Sequence, residues 1–326
     1  MTEKTTAMMT PGETAAWLYE RDGFLIVAHR RPDGDAIGCA GALAQGLREL
    51  GKTAYILHDS DTTKRYLSLA KDYWAPEGYR PNHVITVDTA SADMLPDSAA
   101  EYISAVSLCI DHHASNTFYA QYTCLDPGRA ACGEVLYDIL KALPCGVSAR
   151  SAEGLYVALS TDTGCFSFAN TTANTLRTAA MLIDLGAPHT KLNRRLFRTK
   201  SRGRVKLEGL INEAIEFYCN DKAAIAYVTR AMLEVSGATE DDLDDIASIP
   251  GSIFGVLAGI TIRELSSKQD CKVSVRTAPS VSAHGICQRF GGGGHPMAAG
   301  FIRAATVEQV KEDLVRVLDE FIPADA

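Results

Sequence analysis

The sequence predicts an α/β protein. A parallel sheet with helices on both faces comes first, a smaller α/β domain follows, and the active-site cleft lies between them. Three observations carry that prediction. Short apolar runs rich in β-branched residues alternate with helix-periodic segments, the pattern of strands joined by crossovers. Three of those runs finish on acidic or imidazole residues, as expected where strand ends of an open sheet line a ligand crevice. A polar, basic stretch around Gly186 to Arg204 then divides the chain into residues 1–186, a linker 187–204 and residues 205–326.

In order, Pro11 to Arg21 reads as a helix, and Phe24 to Ala28 as a buried parallel strand. Ala36 to Leu50 is apolar-periodic, hence helical. Thr53 to His58 is a strand and Thr62 to Leu69 a short helix. His83 to Val87 and Ala105 to Ile110 are apolar strands, and Tyr122 to Leu125 is a further short one. Ala131 to Leu143, Ser151 to Leu159 and Ala173 to Leu185 are helices, the last stopping at Gly186. In the second domain, Lys206 to Tyr218 reads as helical. Strands are expected at Ala223 to Thr229, Gly255 to Arg263 and Lys272 to Arg276. A helix over Ser282 to Phe290 leads to a glycine loop, Gly291 to His295. Gly300 to Arg303 is a strand, and Thr306 to Phe321 a closing helix with Glu308 placed for capping. Asp241 to Asp245 reads as a solvated helix start.

The 326 residues suit one large or two ordinary domains, and 46% apolar content is enough for a real core. No run is long enough to span a membrane. Residues 1–10 lack the apolar core of a signal peptide. Nine cysteines, odd in number and without a Cys-x-x-Cys pair, argue for a reducing compartment, the cytoplasm, and against a disulfide framework. The net charge of −8 disfavours a partner such as long nucleic acid, which usually meets a basic face. A small anionic substrate gripped by a few arginines and metals fits better. Arg194, Arg195, Arg198, Lys200, Arg202 and Arg204 form a local basic cluster that suits either steering of anions or a solvated helix face.

The chemistry concentrates at the strand ends. His29, Asp33 and Asp35 share a loop with Pro32 and Gly34, and that pattern alone fits a solvated turn as well as a divalent metal site. Asp88 ends the next long strand, Asp111-His112-His113 ends another, and Asp162 stands at a helix end. Parallel strands share a direction, so these groups converge on one edge. So many acids together repel one another, and two divalent cations would relieve the repulsion.

His29-x-x-x-Asp33-x-Asp35, Asp88, Asp111-His112-His113 and Asp162, in this order, resemble the motifs of the DHH phosphoesterases. Gly291-Gly292-Gly293-Gly294-His295-Pro296-Met297-Ala298-Ala299-Gly300 resembles the signature of the associated DHHA1 domain. The arrangement is similar to the compact oligoribonuclease (nanoRNase, NrnA-type) branch, without the membrane and sensor regions of the larger cyclic-di-AMP phosphodiesterases. The resemblance implies a two-manganese site. His29 and Asp33 would hold one ion, Asp35, His112 and Asp162 the other, and Asp88 would bridge them. His113 would face the scissile phosphate and Asp111 would orient the imidazoles. Imidazole and carboxylate without thiolate suit manganese better than magnesium, which prefers oxygen. Two such ions acidify a water and polarise phosphoryl oxygens.

The resemblance further implies that Arg263, Ser274, Arg276, Gly292, Gly293, Gly294 and His295 bind substrate. The glycines let backbone amides approach an anion, and Ser274 shares a strand face with Arg276. The implied activity is hydrolysis of RNA oligomers of about two to five nucleotides, including pApA, in a site that limits substrate length. Removal of the 3′-phosphate from adenosine 3′,5′-bisphosphate is a second expected activity. Cyclic-di-AMP hydrolysis and a non-catalytic RNA-binding module are the alternatives. An exposed sheet edge in the first domain would suit a homodimer.

Overall fold

The computed structural model describes residues 6–265 and 270–322, in two compact units, Met1–Thr199 and Lys200–Ala326. The first unit holds strands β1 (Ala7–Met8), β2 (Phe24–Val27), β3 (Ala54–Ile56), β4 (His83–Val87), β5 (Val106–Asp111) and β6 (Tyr122–Leu125). All pair in parallel, in the order β1-β6-β5-β4-β2-β3. Its helices are α1 (Pro11–Tyr19), α2 (Gly34–Glu49), α3 (Leu67–Ala70), α4 (Cys132–Ala142), α5 (Ala149–Asp162), α6 (Ala173–Asp184) and α7 (His189–Asn193).

Alternation along each strand assigns the two faces. Phe24, Ile26, Ile85, Val87, Leu108 and Ile110 pack with Leu18, Ile37, Leu136 and Leu155 of the helices. Leu25, Val27, Val84 and Cys109 pack the other way, against Leu95, Ala99 and the rings of Tyr55, Tyr79, Tyr102 and Tyr119. From β2 the chain crosses by α2 to β3, then returns to the other side of β2 as β4. Crossovers are right-handed, so this reversal sends the β4–β5 connection to the opposite face. That connection consists of 3-10 turns at Ala92–Met94, Asp97–Ala99 and Ile103–Ala105. The reversal leaves a crevice between the C-terminal ends of β2 and β4, where ligands of open sheets bind.

Trp17 of α1 lies edge-on to His83 at 5.1 Å and beside Phe24 and Tyr122. Trp74 lies edge-on to His58 at 5.0 Å, so both tryptophans of the chain belong to this unit. The helix expected over Thr62 to Leu69 is confined to α3, continued by a 3-10 turn at Lys71–Tyr73. The stretch expected as a linker, 187–204, is structured. After α7 it makes a π-helical turn, Arg194–Arg198, and Leu192 and Leu196 are buried in the first unit's core. That pair, spaced i,i+4, docks the segment together with Ala187 and Phe197, which pack on the same core.

The second unit begins with α8 (Arg202–Glu213), capped by Ser201. It continues with β7 (Glu216–Tyr218), β8 (Ala223–Val228), α9 (Arg230–Ser236), β9 (Ala258–Glu264), β10 (Asp270–Thr277), α10 (Ala283–Gln288), β11 (Gly293–His295), β12 (Ala298–Ala304) and α11 (Val307–Leu318). The sheet order is β11-β12-β10-β9-β8-β7, with only β8 and β9 parallel. One face packs Ile260, Val273 and Val275 under α10 and α11. On the other, Ala226 and Val228 pack against α8 and the 3-10 turns near Leu243 and Ile246.

Several expectations need correction here. The helix over Lys206 to Tyr218 stops at Glu213, because Glu216–Tyr218 pairs with β8 as an edge strand. The closing helix is capped by Thr306 with Gln309, whose Oε1 accepts the Thr306 amide at 3.0 Å. Glu308 sits one position too early for that contact and merely lies in the first turn. Asp241–Asp245 starts no α-helix; Glu240–Asp242 is a single 3-10 turn. The glycine loop folds back as β11 beside β12, because Pro296 and Met297 form a two-residue turn between them.

Candidate metal centre

The loop after β2 presents the first side chains. Asp33 caps α2, its Oδ1 accepting the amides of Asp35 at 3.0 Å and Ala36 at 3.1 Å. His29 Nδ1 lies 2.9 Å from the Arg30 carbonyl. A carbonyl only accepts, so Nδ1 carries a proton and Nε2 is the nitrogen left to face the acids. That Nε2 is 3.8 Å from Asp33 and 3.9 Å from Asp88. Asp88 follows β4 with a left-handed φ of 53°, sparsely populated for a non-glycine residue. Its amide is anchored on the Ile110 carbonyl at 2.9 Å.

At the end of β5, Asp111 is fully buried and fully engaged. Its Oδ1 accepts His113 Nδ1 and the His112 amide, both at 2.8 Å, and its Oδ2 accepts Asn116 Nδ2 at 2.7 Å. Such a carboxylate orients its neighbours and has little capacity left to ligate. His112 Nδ1 donates to the Arg129 carbonyl at 3.2 Å. Its Nε2 faces Asp88 at 3.5 Å, Asp162 at 3.6 Å and Asp35 at 3.9 Å.

Asp162 ends α5, and α5 runs against α2 through glycines. A Cβ on Gly154 would lie 2.6 Å from the Gly38 carbonyl, and one on Gly38 would collide with the Gly154 carbonyl. This close approach sets the end of α5 beside the start of α2, hence Asp162 beside Asp35. Asp35 is buried at the N-terminus of α4, where it accepts the amides of Cys132 at 2.7 Å and Gly133 at 3.0 Å.

Among the described residues, three groups of side chains each offer ligand atoms within 4.8 Å of one another. They are His29, Asp33 and Asp88; Asp35, His112 and Asp162; and Asp88, His112 and His113. Burial, and then the charges of its neighbours, raises the carboxyl pKa of three acids. Asp35 and Asp162 are each pushed up to about 7 and Asp88 well above the carboxylate range. Burial pushes Asp111 up as well, but hydrogen bonds from His113, Asn116 and the His112 amide hold it below that range. The hydrogen bond to Asp111 raises His113 above the usual imidazole value, against its burial.

The donor set fits divalent cations. Asp88 Oδ1 is buried without a hydrogen-bond partner, a costly state that a cation would relieve. Both His29 and His112 turn their Nε2 atoms to the same space. Cys39 and Cys132 lie close by, but burial keeps both thiols protonated, so no thiolate joins the set.

In the second unit, register places the expected substrate-binding residues. Ser274 is opposite Gly300, itself opposite Gly293; Arg276 is opposite Ala298, itself opposite His295. These rows share one face of the sheet, with small residues in their middle. Gly294 has a φ of 141°, closed to L side chains, and a Cβ on Gly292 would collide with β12. Arg263 stands on the same face of the sheet, farther along it. It lies opposite Lys272, two positions beyond Ser274, and its Nη2 holds both oxygens of Glu240 at 2.7 Å.

Sequence reasoning missed Asn116, Arg129, Glu134, Asn170 and His284. Asn116 had a local signal, five residues after Asp111. His284 Nδ1, on α10, donates to the Gly294 carbonyl at 3.0 Å and steadies the glycine run. The others act across gaps that no local pattern marks.

Comparison with known proteins gives concordant results. Residues 23–160 match the model of the DHH family, N-terminal domain, and residues 220–324 match the DHHA1 domain. The chain is 32% identical over 298 residues to the bifunctional oligoribonuclease and PAP phosphatase NrnA of Thermus thermophilus, covering 90% of this chain and 89% of that one. It is 29% identical over 286 residues to the protein of the same description from Bacillus subtilis, covering 86% and 88%. In fold it resembles an exopolyphosphatase-related protein from Bacteroides fragilis, with a TM-score of 0.83 at 21% identity over 95% of this chain and 96% of that one.

Proposed function

Because the chain belongs to the DHH family of phosphoesterases and carries a DHHA1 domain, we propose that it is a manganese-dependent phosphodiesterase of short oligoribonucleotides. It releases mononucleotides from fragments of about two to five residues, pApA included, and removes the 3′-phosphate of adenosine 3′,5′-bisphosphate. The observation that carries this reading is the pair of donor sets, His29 with Asp33 and Asp35 with His112 and Asp162, either side of Asp88, whose buried Oδ1 has no hydrogen-bond partner. These residues would hold two divalent ions, and such ions would supply an acidified water and positive charge for the phosphoryl oxygens.

The chain's own residues do the rest. Asp88 is shared between the two sets, held by its left-handed backbone. His113, whose affinity for a proton is raised by its bond to Asp111, serves as the acid that protonates the leaving oxygen. Ser274, Arg276, the Gly292–Gly294 amides and His295 hold the distal phosphate and the nucleoside. Arg263 engages Glu240 through Nη2 alone, so it takes a smaller share in holding the nucleotide with its remaining N–H groups while it also ties the turn of Glu240 to β9. No described helix is long and apolar enough to cross a membrane, and all nine cysteines are free, which suits the cytoplasm.

The test is turnover by the full chain with manganese on pApA, a five-nucleotide RNA, adenosine bisphosphate, cyclic di-AMP and pyrophosphate. Fastest release from pApA and the RNA is expected, abolished by chelator. Preference for cyclic di-AMP would move the substrate assignment. No turnover of any of them would leave a binding module instead.

A further inference from the structure

The two donor sets are held in different ways. His29 and Asp33 rely on their own loop, through the Arg30 carbonyl and the first amides of α2. The other set relies on one distant segment, residues 129–133. The Arg129 carbonyl fixes the tautomer of His112. The amides of Cys132 and Gly133 hold Asp35. Asn170 Nδ2 donates to the Ala130 carbonyl and to the Asp162 carbonyl, both at 3.1 Å, tying the end of α5 to the same segment. All three members of one set, and neither member peculiar to the other, lean on these five residues.

What fixes the segment is Glu134, 1% exposed. Its Oε1 accepts the Thr175 hydroxyl at 2.7 Å and the Ala130 amide at 3.3 Å. Its Oε2 accepts Asn174 Nδ2 at 2.6 Å and faces Arg129 Nη1 at 3.5 Å. Every partner is a donor, so the carboxylate is satisfied on all sides and pins the segment to the start of α6. Arg129 is clamped further by Asp126 at 2.9 Å and Asp138 at 2.8 Å.

We propose that Glu134 and Asn170 are positioning residues for one ion site only, that of Asp35, His112 and Asp162, so that the two sites can be weakened separately. The inference rests on the two-ion reading above. Partners that orient metal ligands are worth about 10–100-fold in affinity. Glu134→Gln keeps the shape but sets an amide NH2 against donors. Asn170→Ala changes an exposed side chain and leaves the core alone.

Manganese uptake by the full chain, followed by equilibrium dialysis, tests this without reference to turnover. Wild type takes up two ions. Asn170→Ala and Glu134→Gln keep one ion at wild-type affinity and bind the second about 10–100-fold more weakly. Adding His29→Ala to either variant then weakens the remaining ion as well. Thermal unfolding in chelator shows that each variant is folded; if Glu134→Gln is not, Asn170→Ala decides alone. Equal weakening of both ions, or of neither, overturns the proposal. Fewer than two ions on wild type overturns the two-ion reading itself, before any variant is compared.

Discussion

Single side chains carry the sharpest expectations. His113→Ala should lower kcat by about 10²–10⁴-fold, the usual worth of a positioned acid or base, while leaving manganese content at the wild-type level. Equal loss of metal and rate would make His113 a ligand first. The raised carboxyl pKa values give a pH dependence whose sign is fixed. In the metal-free chain Asp35 and Asp162 sit at about 7, well above an unfolded carboxylate. They therefore stabilise the fold fully below the unfolded pKa, and that contribution is lost as pH rises through about 7. Cations need the ionised form, so uptake releases protons across the same window. Calorimetry in buffers of differing ionisation heat should show more protons released at pH 6 than at pH 8.5. Equal release at both would sink the argument. At this scale the sequence was informative wherever a residue ends a strand, as with Asp88 and Asp111, because strand ends follow from local pattern. It was silent about Glu240 beside Arg263 and about Glu134, whose partners lie far along the chain.

Among the elements, the contact of α2 with α5 does most to assemble the centre. Gly38→Val would drive a branched side chain into the Gly154 backbone. Overpacking of this kind costs about 1–3 kcal/mol, readable as a lower denaturant midpoint. It should also weaken manganese binding, because the end of α5 moves away from the start of α2. A destabilised variant with unchanged manganese affinity would show that the two helix ends are held together by other means. Strands and long helices were legible because their apolar periods are strong. The short α9, the edge strand β7 and the folded stretch after Gly186 were not, since each is fixed by a few tertiary contacts. The glycine run shows the same limit: composition announces freedom, but pairing with β12 takes that freedom away.

For the molecule as a whole, division of labour between the units can be measured by comparing two arginines. Arg276→Ala should raise KM for pApA about 10–100-fold with kcat little changed, the loss of a charge-assisted hydrogen bond to phosphate. Arg263→Ala should raise KM less and should also lower the unfolding midpoint, because Glu240 loses its partner. The reverse pattern would reassign the two side chains. The placement of Trp17 and Trp74 has a practical corollary. Both indoles report on residues before Thr199, and the remainder of the chain is optically silent in that channel. Emission on excitation near the red edge should therefore follow loss of the parallel sheet alone. Far-ultraviolet dichroism registers both parts, and a chelator that shifts the fluorescence curve more than the dichroic one would reveal where bound cations lend their support.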